Sequence, residues 1–263
     1  MAFLQIECFS ETLSMAVSVS VVLPQPAQRE IGMNAAASGE EHPVLWLLHG
    51  ASDDHTTWLR RTSIERYASE RGLAVVMPNA HLSSYANMAH GGRFYDFVSD
   101  ELPRLMREFL PLSAKREDNF IAGNSMGGYG AMKIGVNHPD RYAAIGCFSA
   151  GVNRPGAPRS SVIPEDEWKR RQKLLYDGQD ITGTLEDTLA MVKKNSTLPV
   201  LPRVYHTCGT QDFLLDRARE TCDLFLSLPG NPYGYVYEEH EGVHDWDYWD
   251  RYICDFLQFT AKP

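Results

Sequence analysis

The sequence predicts an α/β fold: a mostly parallel central sheet with helices on both faces. Two observations carry the prediction. Continuous apolar runs of strand length recur at Val44–Leu48, Leu73–Met77 and Ala143–Phe148, and Val204–Cys208 reads as a further strand. Runs with no polar alternation suit strands buried on both faces. Between them lie longer segments with helical spacing, and strands that alternate with helices assemble as parallel sheets. No internal repeat or linker divides the chain, so residues 1–263 are expected as a single domain.

Taken in order, Phe3–Cys8 and Met15–Leu23 read as an antiparallel pair at a sheet edge. Gln25–Glu41 is polar and Ala-, Ser- and Gly-rich, an expected exposed loop. After the strand at 44–48 comes His49-Gly-Ala-Ser-Asp-Asp54, then a helix from Thr56 or Thr57 through Arg71. His81–Arg93 reads as a loop. Phe94–Phe109 is an amphipathic helix that Pro103 is expected to kink. Residues 119–132 read as strand, turn and helix. Residues 151–202 hold two helix-like pieces, near 165–175 and 185–194, with no clear strand. A helix is expected near Leu215–Leu228, a last strand at Tyr233–Glu238, and a closing helix over Asp245–Thr260. That final helix carries Trp246, Tyr248, Trp249, Tyr252, Phe256 and Phe259. Such a set is usual in a core, and it also leaves a homo-oligomer open.

Composition narrows the partners. Hydrophobic residues make up 43% and charged residues 22%, the net charge is −9, and there is no Lys/Arg run. That argues against nucleic acid or an anionic membrane as the partner. No apolar run is long enough to span a bilayer. The N-terminus has no basic region followed by an apolar one, so a cytoplasmic location is expected. The 5 cysteines are scattered without C-x-x-C spacing and read as free thiols in a reducing compartment.

The chemistry centres on Asn119-Phe-Ile-Ala-Gly-Asn-Ser-Met-Gly-Gly-Tyr-Gly-Ala-Met132. Gly123, Ser125 and Gly127 form G-x-S-x-G, in which a serine stands at the apex of a strand-to-helix turn. The backbone there is strained, so the residues two before and two after must be small. The hydroxyl also lies at a helix N-terminus, where free N–H groups favour negative charge. Without further partners the same pattern describes a Gly-rich turn opening a helix.

A serine needs a base, and the base needs a partner that holds its tautomer. In an open parallel sheet such groups gather at the carboxyl ends of strands. The expected order after Ser125 is acid, then histidine. Asp212 follows the strand ending at Cys208, although Asp in that place also serves as a helix N-cap. Asp180 and Asp216 are its rivals. His244 follows the last strand and precedes the final helix, with His240 as its rival. An oxyanion hole needs two backbone N–H groups. Met126 should supply one and Ala51 the other, with Gly50 letting the chain turn; His49 reads as a structural imidazole. Tyr85, in the loop at 81–93, is an expected substrate wall alongside Gly50.

These residues resemble the tributyrin esterase / S-formylglutathione hydrolase (esterase D-like) family of α/β-hydrolases, which is similar to the feruloyl esterases. Leu47–Trp58 is similar to the family's oxyanion segment, Val75–Asn79 to its next strand, and Phe120–Gly130 to its nucleophile block. Cys208–Leu214 resembles its acid segment and Gly242–Trp249 its histidine segment. The resemblance implies an α/β-hydrolase fold with a small cap insertion at about 151–202. It implies Ser125, Asp212 and His244 as a catalytic triad and Ala51 and Met126 as oxyanion donors, with no metal and no cofactor. The implied activity is hydrolysis of small-molecule, short-chain acyl esters by a serine carboxylesterase. S-formylglutathione hydrolase and carbohydrate acetyl or feruloyl esterase are alternatives, as is a silent hydrolase-fold binding module. His-Gly-Ala-Ser stands where S-formylglutathione hydrolases carry a Gly-Leu-Thr-Cys-like turn, which points toward the carboxylesterase branch.

Overall fold

A computed structural model describes residues 1–26, 31, 40–157, 159–160 and 162–261. The chain opens with a hairpin, β1 (Ala2–Ser10) and β2 (Met15–Leu23), paired from Ala2 opposite Leu23 to Ser10 opposite Met15. The parallel strands follow: β3 (Val44–Leu48), β4 (Ala74–Pro78), β5 (Asn119–Asn124), β6 (Ala144–Phe148), β7 (Arg203–Gly209) and β8 (Val236–His240). Together they form one sheet in the order β1-β2-β4-β3-β5-β6-β7-β8, in which β2 meets β4 antiparallel. The helices, in chain order, are α1 (Thr57–Arg61), α2 (Ile64–Ser69), α3 (Phe94–Asp96), α4 (Leu102–Phe109), α5 (Met126–Asn137), α6 (Glu165–Tyr176), α7 (Thr188–Asn195), α8 (Leu215–Leu226) and α9 (Trp246–Thr260).

Successive strand residues point to opposite faces, so each central strand feeds two cores. In β3, Trp46 and Leu48 enter one core, with side chains from α4, α5, α7 and α8. Leu45 and Leu47 enter the other, with α1, α2 and α9. That is why β3, β4 and β6 read as unbroken apolar runs. The aromatic residues of α9 serve this second core: Tyr248, Trp249, Tyr252 and Phe256 are buried there and Trp246 and Phe259 pack against it. They are therefore not an exposed stripe that would argue for a homo-oligomer.

Three local expectations change. The helix expected from Thr56 to Arg71 is two helices. Thr62 is extended (φ −135°, ψ 172°), its hydroxyl donates to the Trp58 carbonyl, and the Ser63 N–H donates to Asp250 across the fold. Around Pro103 the run stays helical, but Phe97–Glu101 widens into a π-helical turn. A proline lacks an N–H and crowds the carbonyl four residues back, and the wider turn accommodates both. The last strand starts at Val236 rather than Tyr233, because Asn231 closes a turn through Tyr235: its side chain accepts the Tyr235 N–H and donates to that residue's carbonyl. Most of the loop expected at Gln25–Glu41 lies outside the described residues.

Candidate active site

The turn after β5 places Ser125 at φ 52°, ψ −118°. A left-handed φ on a non-glycine residue is strained and needs its surroundings to hold it. The Ser125 N–H donates to the Phe148 carbonyl at 2.8 Å, tying the apex to β6. The flanking glycines have no room for a side chain: a Cβ on Gly123 would lie 2.5 Å from the Gly127 carbonyl carbon, and one on Gly127 2.2 Å from the Leu48 oxygen. The Met126 N–H is the first of α5 and has no partner within the helix.

The loops after β7 and β8 bring the two downstream candidates to this apex. His244 Nε2 lies 3.0 Å from Ser125 Oγ, and His244 Nδ1 lies 3.0 and 2.9 Å from the two oxygens of Asp212. The Asp212 carboxylate is buried and also accepts the Leu214 N–H at 2.8 Å. Burial raises its pKa, but the hydrogen bond and charge of His244, the Leu214 amide and the Ser149 hydroxyl outweigh that and hold it below the ordinary carboxylate value. With a carboxylate on Nδ1, the proton sits there and Nε2 is free to accept from the serine.

Ala51 and Met126 both line the cleft around Ser125. Gly50 lines it too, but its N–H is used by Asp53 Oδ2 at 3.2 Å. A Cβ there would lie 2.7 Å from that carboxylate and 3.0 Å from Asn124 Nδ2, so Gly50 shapes the turn. Beneath it, His49 Nε2 accepts the Ala80 N–H at 2.9 Å, so Nδ1 donates to the Gly50 carbonyl at 2.7 Å. Burial lowers the pKa of that imidazole and keeps it neutral. His49 is thus structural, as its sequence context suggests.

Tyr85 corrects an expectation. It is fully buried, its hydroxyl donates to the His49 carbonyl at 2.9 Å, and its ring fills the space left by Gly130, whose Cβ would sit 2.4 Å away. It supports the elbow from below and does not line the cleft; Leu82 and Ser84 of the same loop do.

The cleft has a volume of about 630 Å³ and is walled on one side by α6 through Trp168, Leu175 and Tyr176. Sequence reasoning missed its aromatic bracket. The Phe213 ring lies 4.3 Å from the His244 ring, and Trp249 meets the same imidazole edge-on at 5.0 Å and 89°. Trp249 Nε1 also donates to Ser149 Oγ at 3.0 Å, which steadies the hydroxyl bonded to Asp212. Phe213 was legible only as the neighbour of Asp212. The rivals fall elsewhere. His240 stacks on Tyr252 at 4.3 Å, and Asp180 caps its own turn through Thr182.

A strand–serine–helix elbow on a mostly parallel eight-stranded sheet defines an α/β-hydrolase. Residues 10–259 match the family described as "Putative esterase", and the chain belongs to that family, in its esterase D-like group. Among curated proteins it is 29% identical to an acetyl esterase of Caldicellulosiruptor saccharolyticus, over 100% of this chain and 99% of that one. Among solved structures it is similar to substrate-bound FphF, fluorophosphonate-binding serine hydrolase F of Staphylococcus aureus. That match has TM-score 0.85 and 33% identity over 100% of this chain and 99% of the other. It is also similar to the S-formylglutathione hydrolase FrmB of Staphylococcus aureus, with TM-score 0.82 and 33% identity over 99% of each chain. The activity class is that of an esterase. Among the described residues no helix is long and apolar enough to cross a membrane.

Proposed function

We propose that the protein is a serine carboxylesterase that hydrolyses short-chain acyl esters through Ser125, His244 and Asp212. One observation carries the reading: His244 bridges the Ser125 hydroxyl and the Asp212 carboxylate, at 3.0 Å on one nitrogen and 2.9 Å on the other. Ser125 Oγ attacks the ester carbonyl carbon while His244 Nε2 takes its proton. The Ala51 and Met126 N–H groups bind the oxyanion, where loss of one donor costs about 10²–10³ in rate. The tetrahedral adduct collapses as His244 returns the proton to the leaving alcohol. Water then attacks the acyl-enzyme, giving its proton to His244, and the acid leaves as Ser125 is restored. Asp212 holds the ring and stabilises its charged form without itself taking the proton.

We further assign residues 151–202 as a cap over the serine within one α/β-hydrolase domain. The support is that α6 from this segment walls the cleft. A preference for acetyl to butyryl groups is supported by the acetyl esterase relative. The likeness to an S-formylglutathione hydrolase supports a second reading, thioester hydrolysis at the same serine. A panel of p-nitrophenyl acetate, butyrate and octanoate with S-formylglutathione and an acetylated xylo-oligosaccharide tests both. The first reading expects the highest kcat/KM on acetate or butyrate. A clear preference for S-formylglutathione would replace it with the second, and no hydrolysis of any of them would overturn both.

A further inference from the structure

Lys133 is fully buried on the elbow helix, eight residues beyond Ser125. Its ammonium donates to Glu186 Oε1 at 3.0 Å, to Glu186 Oε2 at 2.9 Å and to the Ser84 carbonyl at 3.1 Å. Glu186 Oε2 also accepts the Tyr129 hydroxyl at 2.9 Å and the Tyr176 hydroxyl at 3.3 Å. A single ion pair therefore joins three separate pieces of the chain: α5, the loop at 81–93 and the 151–202 segment. Each piece contributes a neighbour of the pair to the cleft, namely Tyr129, Ser84 and Tyr176. Neither Lys133 nor Glu186 lines the cleft itself.

Burying an ammonium and a carboxylate is costly, and a well-packed apolar pair in their place is often as stable. What an apolar pair would lack is an acceptor for two phenols. With their hydroxyls drawn to Glu186, Tyr129 and Tyr176 offer ring surface to the substrate. Tyr129 lies one helical turn from Ser125, and both line the same cleft.

We propose that the buried Lys133–Glu186 pair sets substrate selectivity by fixing the rings of Tyr129 and Tyr176 as a wall of the cleft. This rests on Ser125 being the nucleophile. Lys133 and Glu186 are positioning residues that act through the two tyrosines.

The test compares wild type, Glu186→Gln, and the double variant Tyr129→Phe/Tyr176→Phe, which keeps both rings and removes only their hydroxyls. For each, kcat and KM are measured on p-nitrophenyl butyrate and octanoate. The ratio of kcat/KM between the two esters does not depend on how much protein is folded, so a destabilised variant still reports. The expected result is a change in that ratio of about 5-fold or more in both variants, carried by KM rather than kcat. An unchanged ratio, or an equal fall in kcat on both esters, would mean that the pair only supports the fold and would overturn the proposal. Failure of the Ser125 reading shows differently, as Ser125→Ala retaining hydrolysis, and it would remove this inference as well.

Discussion

His244 Nε2 lies 3.0 Å from Ser125 Oγ, although 119 positions separate the two residues in the chain. The parallel sheet makes the meeting possible, because the loops leaving the carboxyl ends of β5, β7 and β8 share one rim. The orientation of the ring depends on Asp212. Asp212→Asn keeps an acceptor for the Leu214 N–H but can favour the wrong imidazole tautomer. Steady-state assays should show kcat falling by about 10⁴ with the fold retained by circular dichroism.

The elbow tolerates no side chain at Gly127, where a Cβ would lie 2.2 Å from the Leu48 oxygen. The obstacle is backbone, which cannot turn aside like a flexible side chain. Gly127→Ala should lose about 1–3 kcal/mol in urea denaturation. It should also lose most of its activity, because the shift moves Ser125 and the Met126 N–H together.

Lys133→Met leaves the Glu186 carboxylate buried without its counter-charge. Breaking one side of such a pair costs about 3–5 kcal/mol, read as a lower denaturant midpoint. Lys133→Met/Glu186→Leu should be less destabilised than the sum of its single changes, which a double-mutant cycle would show as a non-zero coupling.

Stability should fall with acid through His206. That imidazole is fully buried, donates from Nε2 to the Ala150 carbonyl at 3.0 Å and accepts the Tyr235 hydroxyl on Nδ1 at 2.7 Å. Burial brings its pKa down from 6.5 to about 4. Between those values the unfolded chain binds a proton that the folded chain does not, so stability rises with pH across that window. Lowering the pH from about 6.5 to about 4 should therefore cost on the order of 3 kcal/mol from this group alone. Urea titrations of His206→Gln should show a shallower pH dependence over the same range.

The strands and the elbow were legible in the sequence because their signals are local. Unbroken apolar runs mark β3, β4 and β6, and Gly123, Ser125 and Gly127 mark a turn whose geometry dictates residue size. Asp212 and His244 could be picked out because topology restricts such groups to the ends of strands. Other features depend on tertiary partners. Lys133 sits in a helix as any solvated lysine would, and only Glu186, 53 residues away, makes it an interior residue. Tyr85 lies in a Ser-, Asn- and Gly-rich stretch that reads as surface, yet its ring occupies the space Gly130 leaves open. The break at Thr62 depends on Asp250, 187 residues beyond Ser63. The start of β8 was misplaced because Tyr233 and Tyr235 are buried through a turn and so mimic a strand.

The role of Ser125 is tested most directly by mass spectrometry after reaction with a fluorophosphonate, alongside p-nitrophenyl butyrate hydrolysis by wild type and Ser125→Ala. The prediction is one adduct on the peptide containing Ser125, activity lost in step with labelling, and neither labelling nor hydrolysis in Ser125→Ala. Ser125→Ala hydrolysing the ester at the wild-type rate, or an adduct on another residue that accounts for the inhibition, would contradict it.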